Sequence, residues 1–298
     1  SSTAVFSGAA GTVIVNGNVP FGGLGFETAG NVMAGAGLDL AGGVVTATVN
    51  SDATISSGID DSSVNGSFVK EGSATLTLSG ANSFRGGTFI NAGTLNVTAE
   101  LASRNISVNS GATLIAADSA LHDDAEVTVA SGGTMTLNGN NHIGSLSGAG
   151  SVQLATGFLT TGDAGDDTFS GVIGGSGGLF KEGGGTLELS GANTYTGQTF
   201  VTSGRLFVTG SLASETVNVG VGGTLAVRAT SLSDTAAVSV AGTMEVNGYE
   251  RIGSLSGTGS VNLFANTLTT GDAGNDTFSG IIFGTGGLTK EGSGTFTL

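Results

Sequence analysis

The chain has 298 residues, of which 56 are glycine, 1 is proline and none is cysteine. Glycine without a three-residue period excludes collagen, and the content of 10% charged and 38% hydrophobic residues excludes a disordered chain. The formal net charge of −15 disfavours nucleic acid and anionic membranes as partners. No apolar run is long enough to span a bilayer as a helix, and without cysteine the fold uses neither disulfides nor thiolate metal sites.

The beginning of the chain shows only weak regularity. Short apolar segments such as Thr12–Val15 and Val44–Val49 have the alternation of strands, and glycine, asparagine and serine separate them. We therefore predict that residues 1–66 are degenerate lead-in coils of the structure that follows.

From residue 67 onward a short phrase recurs, in which a small residue precedes a hydroxyl residue and two apolar residues that one polar or small residue separates. Its hydroxyl position steps by 19, 19, 21 and 17 residues in a first series, and by 19, 19, 19 and 17 in a second. A period near twenty with strand-like alternation predicts an all-β solenoid of stacked coils. The successive positions are Thr75, Thr94, Thr113, Thr134 and Ser151, then Thr186, Arg205, Thr224, Thr243 and Ser260.

Alternation within a coil places Leu76 and Leu78 on one face and Thr75 and Thr77 on the other. A second strand lies between successive phrases, as in Glu126–Val129. Short strands could also build a sandwich or a barrel, but the constant spacing of the apolar pair favours stacking at about 4.8 Å per coil. This predicts roughly fifteen coils, a rod about 70 Å long, apolar ladders inside and Thr/Ser/Asn ladders outside.

A longer repeat contains the coils, because the pair Lys-Glu recurs at Lys70, Lys181 and Lys290, in steps of 111 and 109 residues. We predict one continuous solenoid with a first long repeat, a second long repeat and the start of a third. Their bounds are residues 67–177, 178–286 and 287–298, respectively.

The segments from Phe68 to Gly87 and from Leu179 to Val208 are two copies of one phrase, with Lys-Glu-Gly near its start and Ser-Gly-Ala-Asn near its middle. The phrase resembles the autotransporter-associated β-strand repeat, or passenger-associated transport repeat, of type V secreted bacterial proteins. The resemblance implies a right-handed parallel β-helix that is exported across a Gram-negative outer membrane. The family's C-terminal membrane barrel has no counterpart here and the third repeat stops at Leu298, so we expect a segment of a larger protein.

Two segments, Gly162–Phe169 and Gly271–Phe278, differ by one glycine from the calcium-binding nonapeptide of repeat toxins. Calcium in that pattern is shared between tandem copies, whereas these copies lie 109 residues apart. Surface loops are therefore the favoured interpretation. Calcium binding by these two loops stays an alternative; the carboxylates concerned are Asp163 and Asp167 in the first loop and Asp272 and Asp276 in the second.

The remaining chemistry-bearing residues have structural interpretations. Adjacent carboxylates alternate faces on a strand, so we expect the three aspartate pairs to be solvated corners rather than paired catalytic groups. The histidines align with Ser233 and with Glu250 or its neighbour Arg251, and they form no nucleophilic arrangement. Lys-Glu is interpreted as a cross-coil ion pair or a solvated turn, and the two corner aromatic residues as caps of a coil edge, with a shelf for a sugar as the alternative. The residues concerned are Asp60-Asp61, Asp123-Asp124, Asp166-Asp167, His122, His142, Lys70-Glu71, Lys181-Glu182, Lys290-Glu291, Phe84 and Tyr195.

The sequence thus predicts a structural protein, the stalk of an autotransporter-like adhesin displayed on the bacterial surface or secreted. We expect no catalytic, cofactor-binding or metal-binding residues and no membrane span in this chain. The expected partners are glycans or neighbouring cells, held by weak multivalent contacts, with end-to-end self-association into filaments as an extension of this hypothesis. A polysaccharide-active β-helix enzyme and a calcium-responsive binding module are the alternatives.

Overall fold

The computed structural model describes residues 3–62, 65–162, 165–271 and 274–298, and over these ranges it consists of strands and turns. Within them there is no helix with the length and apolar character that crossing a membrane requires. The chain divides into two compact units. The first comprises Ser1–Gly144 with Gly148–Gln153, and the second comprises Ser145–Ser147 with Leu154–Leu298.

The strands of the first unit are short and follow one another at corners rich in glycine, asparagine and aspartate. They are β1 (Thr3–Phe6), β2 (Thr12–Val15), β3 (Val19–Pro20), β4 (Gly23–Phe26), β5 (Asn31–Gly35), β6 (Leu38–Asp39), β7 (Val44–Val49), β8 (Ala53–Ile55), β9 (Ile59–Asp60), β10 (Ser67–Glu71), β11 (Thr75–Leu78), β12 (Gly87–Ile90), β13 (Gly93–Val97), β14 (Asn105–Val108), β15 (Ala112–Ala116), β16 (Glu126–Val129), β17 (Thr134–Asn138) and β18 (Asn141–Ile143).

The remaining strands begin with β19 and β20, which have residues in both units, and continue in the second unit. They are β19 (Ser145–Gly148), β20 (Ser151–Thr156), β21 (Phe158–Thr161), β22 (Asp167–Phe169), β23 (Val172–Gly175), β24 (Gly178–Lys181), β25 (Thr186–Leu189), β26 (Ala192–Asn193), β27 (Thr199–Val208), β28 (Ser211–Leu212), β29 (Thr216–Val227), β30 (Ala237–Val240), β31 (Thr243–Val246), β32 (Glu250–Ile252), β33 (Ser254–Gly257), β34 (Ser260–Asn262), β35 (Thr267–Thr270), β36 (Asp276–Thr277), β37 (Ile281–Phe283), β38 (Gly287–Lys290) and β39 (Phe296–Thr297).

Each coil of the first unit contributes one strand to each of two parallel sheets. The first sheet contains β1, β4, β7, β10, β12, β14 and β16 in this order, and the second contains β2, β5, β8, β11, β13, β15 and β17. Short strands β3, β6 and β9 form a third side in the early coils. In the second sheet Thr75 pairs with Thr94, Thr94 with Thr113, and Thr113 with Thr134. The predicted β-solenoid and its register are therefore confirmed.

The second unit follows the same plan, and most of its strands are as short as those of the first. Two longer strands, β27 and β29, continue around a corner, so one end of each pairs on one face and the other end on the next. A β-bulge lies at this corner, because β27 has one residue between Val201 and Ser203 where β29 has two between Val219 and Gly222. Beyond the bulge Arg205 pairs with Thr224, and Thr224 with Thr243, which confirms the register of the second series.

The core is a set of apolar columns inside the coils. Leu76, Leu78, Leu95 and Val97 are fully buried, whereas the residues between them lie on the outer face and are half-exposed. This is the predicted division into inner and outer faces. Burying one such aliphatic side chain stabilises the fold by about 1.5–3 kcal/mol, so the columns are the main source of stability.

Candidate functional site

The most unusual residues of the two complete long repeats are Lys70 and Lys181, which lie inside the coils, whereas Lys290 is exposed. Lys70 occupies an inner position of β10, two residues after the core residue Phe68, and is 0% exposed. Its Nζ donates hydrogen bonds to the carbonyl oxygens of Glu71 at 2.9 Å, Gly72 at 2.8 Å and Ala92 at 3.0 Å. The ammonium group therefore donates hydrogen bonds to backbone carbonyl oxygens at the corner of its own coil and at the corner of the next coil. For Lys70 the predicted solvated turn or cross-coil ion pair is wrong, because strand alternation turns the side chain inward.

The second copy repeats this arrangement. Lys181 is 1% exposed, and its Nζ donates to the carbonyls of Glu182 at 2.6 Å, Gly183 at 3.2 Å and Ser203 at 3.5 Å. Lys290 donates to the carbonyls of Glu291 and Gly292 in the same way. Recurrence of the Lys-Glu pair thus reflects a structural role for its lysine.

The glycine that follows Lys-Glu is required by the backbone. Gly72 and Gly183 have φ angles of +79° and +70°, in the left-handed region that glycine adopts without strain. A Cβ atom on Gly72 would lie 2.3 Å from the carbonyl oxygen of Val49 in the preceding coil. The phrase Lys-Glu-Gly therefore specifies both the cation and the turn that aims carbonyl oxygens at it.

Burial sets the electrostatics of this corner. It lowers the pKa of Lys70 from 10.5 to about 8, while the carboxylates of Glu71 and Asp52 act in the opposite direction. The side chain of Glu71 lies outside the coil, where its Oε1 accepts a hydrogen bond of 2.6 Å from Asn91 Nδ2. Asn109 Nδ2 donates in turn to Asn91 Oδ1 at 2.6 Å. The glutamate thus begins an outer polar ladder that connects three coils.

Asparagine fills a second polar corner in each long repeat. Asn82 is buried and its Nδ2 donates to the carbonyls of Gly80 at 2.6 Å and Glu100 at 3.2 Å. Asn193 Nδ2 does the same with Gly191 and Ser211, at 3.0 and 3.2 Å. Each side chain thus links two coils through backbone carbonyl oxygens, one in its own coil and one in the next.

The corner aromatic residues are interior as well. Phe84 and Tyr195 are both 0% exposed, so neither can offer a ring face to a sugar and the shelf interpretation is wrong. The hydroxyl of Tyr195 lies 2.7 Å from Thr199 Oγ1. In the first copy Phe84 has no hydroxyl, and Thr88 Oγ1 is buried without a hydrogen-bond partner among the described residues. The two copies therefore differ by one buried hydrogen bond.

The aspartate pairs do not converge on a common site. Asp123 and Asp124 are exposed, as predicted; Asp124 pairs with Arg104 at 3.2 Å and Asp123 lies 3.8 Å from His142 Nδ1. Half-buried Asp60 accepts a hydrogen bond from Asn18. The other carboxylates serve backbone N–H groups: Asp61 accepts from Gly42 at 2.9 Å, and Asp166 from Thr186 at 2.7 Å.

The histidines take part in surface contacts. Nδ1 of His122 accepts a hydrogen bond of 3.0 Å from the backbone N–H of Asp124. Since His142 contacts Asp123, the two rings are involved with the same exposed corner. Both contacts have local structural roles at this corner.

The calcium alternative falls partly outside the described residues, because Asp163 and Asp272 belong to the undescribed part. Among the described residues no group of three or more His, Asp or Glu side chains could hold a metal ion. Nζ of Lys181 lies 3.0 Å from the place that a Cβ atom on Gly162 would take. A fixed ammonium so close to the first glycine disfavours a second cation there.

The outer faces carry hydroxyl and amide residues in the first unit and a more varied set in the second. Phe180 and Phe200 stack with ring centroids 4.3 Å apart, and Phe158 meets Phe180 edge-on at 4.9 Å. Arg205 reaches across one coil to Glu245, with Nη2 2.9 Å from Oε2, and its guanidinium lies 4.4 Å from the ring centroid of Phe207. These contacts connect neighbouring coils on the outside.

One buried acid was not singled out by the sequence. Glu250 is 0% exposed, and its two carboxylate oxygens accept hydrogen bonds from the backbone N–H groups of Ser231 at 2.9 Å and Leu232 at 3.2 Å. Burial raises the pKa of Glu250 from 4.5 to about 7. Its alignment with Asn141, a residue type that fills the other corners of this kind, is the signal that could have revealed it.

The fold is that of a β-solenoid repeat protein, and each of its two complete long repeats has a buried lysine and a buried asparagine at its corners. The Passenger-associated-transport-repeat family matches residues 68–97 and 179–207, the two segments that contain the buried lysine and asparagine. The chain therefore carries the repeat of autotransporter passengers twice.

Two characterised proteins are similar in sequence. The chain is 36% identical over 204 residues to the adhesin BmaC autotransporter of Brucella suis biovar 1 (strain 1330), a match over 68% of this chain and 5% of the adhesin. It is 45% identical over 71 residues to an extracellular serine protease of Serratia marcescens, over 24% of this chain and 7% of the protease. The chain thus spans only a small part of the length of either relative. No solved structure matches it significantly.

Proposed function

We propose that the chain is a structural, non-enzymatic part of an autotransporter-like adhesin, displayed on the bacterial surface or secreted, and that it serves as a stalk. The similarity to an adhesin autotransporter over 68% of the chain carries this proposal. The geometry supports it, because the residues with most chemical capacity, Lys70, Lys181 and Glu250, are buried and bound to backbone groups. A catalytic group must instead reach its substrate.

The outer face of the first unit is the surface that we propose for contact with glycans or neighbouring cells. Its second sheet presents Thr77 and Asn96 in neighbouring coils and Thr136 two coils further on, with Ile115 in the coil between, beside the column formed by Thr75 and Thr94. Hydroxyl and amide groups form many individually weak hydrogen bonds, so a regular array acts through multivalency. Contact of this kind needs no concave pocket.

The proposal is tested by measuring how strongly the fluorescently labelled chain binds to cells and to a glycan array. We expect the double variant Thr77→Ala with Thr136→Ala to bind more weakly than the unmodified chain. The matched control is Thr46→Ala with Ser107→Ala, which removes two hydroxyl groups from the other sheet. Equal binding by all three proteins, or substrate turnover with any polysaccharide of the array, would contradict the proposal.

Self-association into filaments is a separate part of the proposal. Val5, Ile14 and Ile281 are 60%, 59% and 65% exposed on strands, and open strand edges pair readily with other strands. Electron microscopy of the purified chain at several concentrations is the test. Filaments that lengthen with concentration would support assembly, whereas particles of one length at every concentration would exclude it and leave the adhesin proposal untouched.

A further inference from the structure

A buried carboxyl group replaces a buried amide at one corner of the second unit. The segment from Glu250 to Gly257 repeats the segment from Asn141 to Gly148, with glutamate in the place of asparagine. Both residues are buried at the start of a short strand, β32 or β18. The two corners therefore have the same position in the fold and different chemistry.

The amide at this corner both donates and accepts. Asn141 Oδ1 accepts from the backbone N–H of Leu121 at 3.4 Å, and Nδ2 donates to the carbonyl oxygen of Ala117 at 3.0 Å. Glu250 takes over the accepting role toward Leu232, the counterpart of Leu121, and adds Ser231. An ionised carboxylate cannot donate, whereas a protonated carboxyl group has one donor and remaining acceptor capacity. The ionised form has only backbone N–H donors to compensate the burial of its charge, whereas the protonated form has no charge to compensate.

The charges around this corner give the carboxylate little compensation. Asp234, in the segment that Glu250 binds, acts to raise its pKa further. The guanidinium of Arg251 is turned outward, 3.2 Å from Asp234 and 3.1 Å from Glu291, and only the backbone N–H of Arg251 serves Glu250. On the neighbouring strand β35, Leu268 pairs with Glu250 and no residue is ionisable. The side chains of Arg228 and Tyr249 are exposed, and Lys290 lies on β38, beyond β35.

We propose that Glu250 is a pH-responsive joint: when its carboxyl group is ionised, the cost of keeping a charge buried makes the corner that contains residues 231–232 open more readily than when the group is protonated. Burial raises the pKa of Glu250 to about 7, above the 4.5 of an exposed glutamate. The folded state therefore binds more protons than the unfolded state between these two values. The stabilising contribution is complete below pH 4.5 and is lost as the pH rises through 7.

Hydrogen exchange of the 298-residue chain tests this joint. The protection factors of the Ser231 and Leu232 amides, corrected for intrinsic exchange, should fall about tenfold or more between pH 5 and pH 8. In Glu250→Gln, which stays neutral, they should change less than about twofold over the same range. The control Glu215→Gln removes an exposed carboxylate of the same unit and should behave like the unmodified chain. The same loss of protection in Glu250→Gln as in the unmodified chain would overturn the proposal.

A second measurement keeps the proposal testable without any variant. The ¹³C resonance of the Glu250 carboxyl carbon in the unmodified chain should titrate near pH 7. A midpoint near 4.5, the value for an exposed glutamate, would show that the corner does not respond near neutral pH and would refute the proposal.

Discussion

At the scale of single residues, the two long repeats provide an internal comparison at Phe84 and Tyr195. Replacing Phe84 by Tyr should place a hydroxyl group beside the unpaired Thr88 Oγ1, as Tyr195 does with Thr199 at 2.7 Å. One new buried hydrogen bond should raise the free energy of unfolding by about 1 kcal/mol. Urea denaturation followed by circular dichroism measures the difference.

The reverse substitution is the control. Tyr195→Phe should lower the free energy of unfolding by about 1–3 kcal/mol, because it leaves Thr199 Oγ1 buried without its partner. A loss of stability in both variants would mean that the corner of the first repeat has no room for the hydroxyl group. No change in either would mean that the hydrogen bond adds nothing to stability.

The buried ammonium of Lys70 gives a second prediction at this scale. Lys70→Met keeps an unbranched apolar side chain but leaves the carbonyls of Glu71, Gly72 and Ala92 without their donor. We expect a loss of about 3 kcal/mol in the free energy of unfolding. Glu71→Gln keeps the acceptor for Asn91 and should cost much less. Equal effects of the two substitutions would show that the Lys-Glu pair acts as a surface pair after all.

The position of Lys70 could have been derived from the sequence, whereas its partners could not. Alternation places Lys70 on the same face as Phe68, and Phe68 is an obvious core residue. A charged side chain is almost never fully buried without a partner, so the residue type of Lys70 favoured a position on the surface. What compensates it is a set of carbonyls that Gly72 and the next coil bring together, and a sequence pattern does not contain that geometry.

At the scale of strands, the period and the register could be predicted from the sequence, but which strands continue around a corner could not. The step of nineteen residues predicted that Thr75 pairs with Thr94, because only one register between the two strands keeps the apolar residues of both coils inside. The corner between the two halves of β27 contains Ser203 and Gly204, residue types that are typical of a turn. The structure keeps both halves in one strand and absorbs the irregularity in a β-bulge, where Gly220 and Val221 of β29 lie opposite Thr202.

The contact between Arg205 and Glu245 gives a prediction at this scale, since it spans three neighbouring strands on the outer face. A double-mutant cycle with Arg205→Met and Glu245→Gln should give a coupling energy of about 0.5–1 kcal/mol, because both side chains are only partly exposed. The coupling should decrease in about 1 M salt, where the Debye length is about 3 Å. A coupling energy of zero at low salt would contradict a stabilising ion pair between these two side chains.

At the scale of the whole molecule, the net charge of −15 acts on every encounter with a partner. If the chain binds cell-surface glycans through hydroxyl and amide groups, charge repulsion opposes binding to anionic targets. Binding to anionic cells should therefore strengthen when the salt concentration rises from about 10 mM to about 150 mM, as the Debye length falls from about 30 Å to about 8 Å.

The same titration on a neutral polysaccharide is the control, and binding there should be nearly independent of salt. Weakening of binding to anionic cells with rising salt would require a local cationic surface. With 8 basic residues in the chain, two of which, Lys70 and Lys181, are buried, such a surface would have to form against the prevailing charge. The slope of binding against salt thus separates contact through the outer hydroxyl and amide ladders from contact through charge.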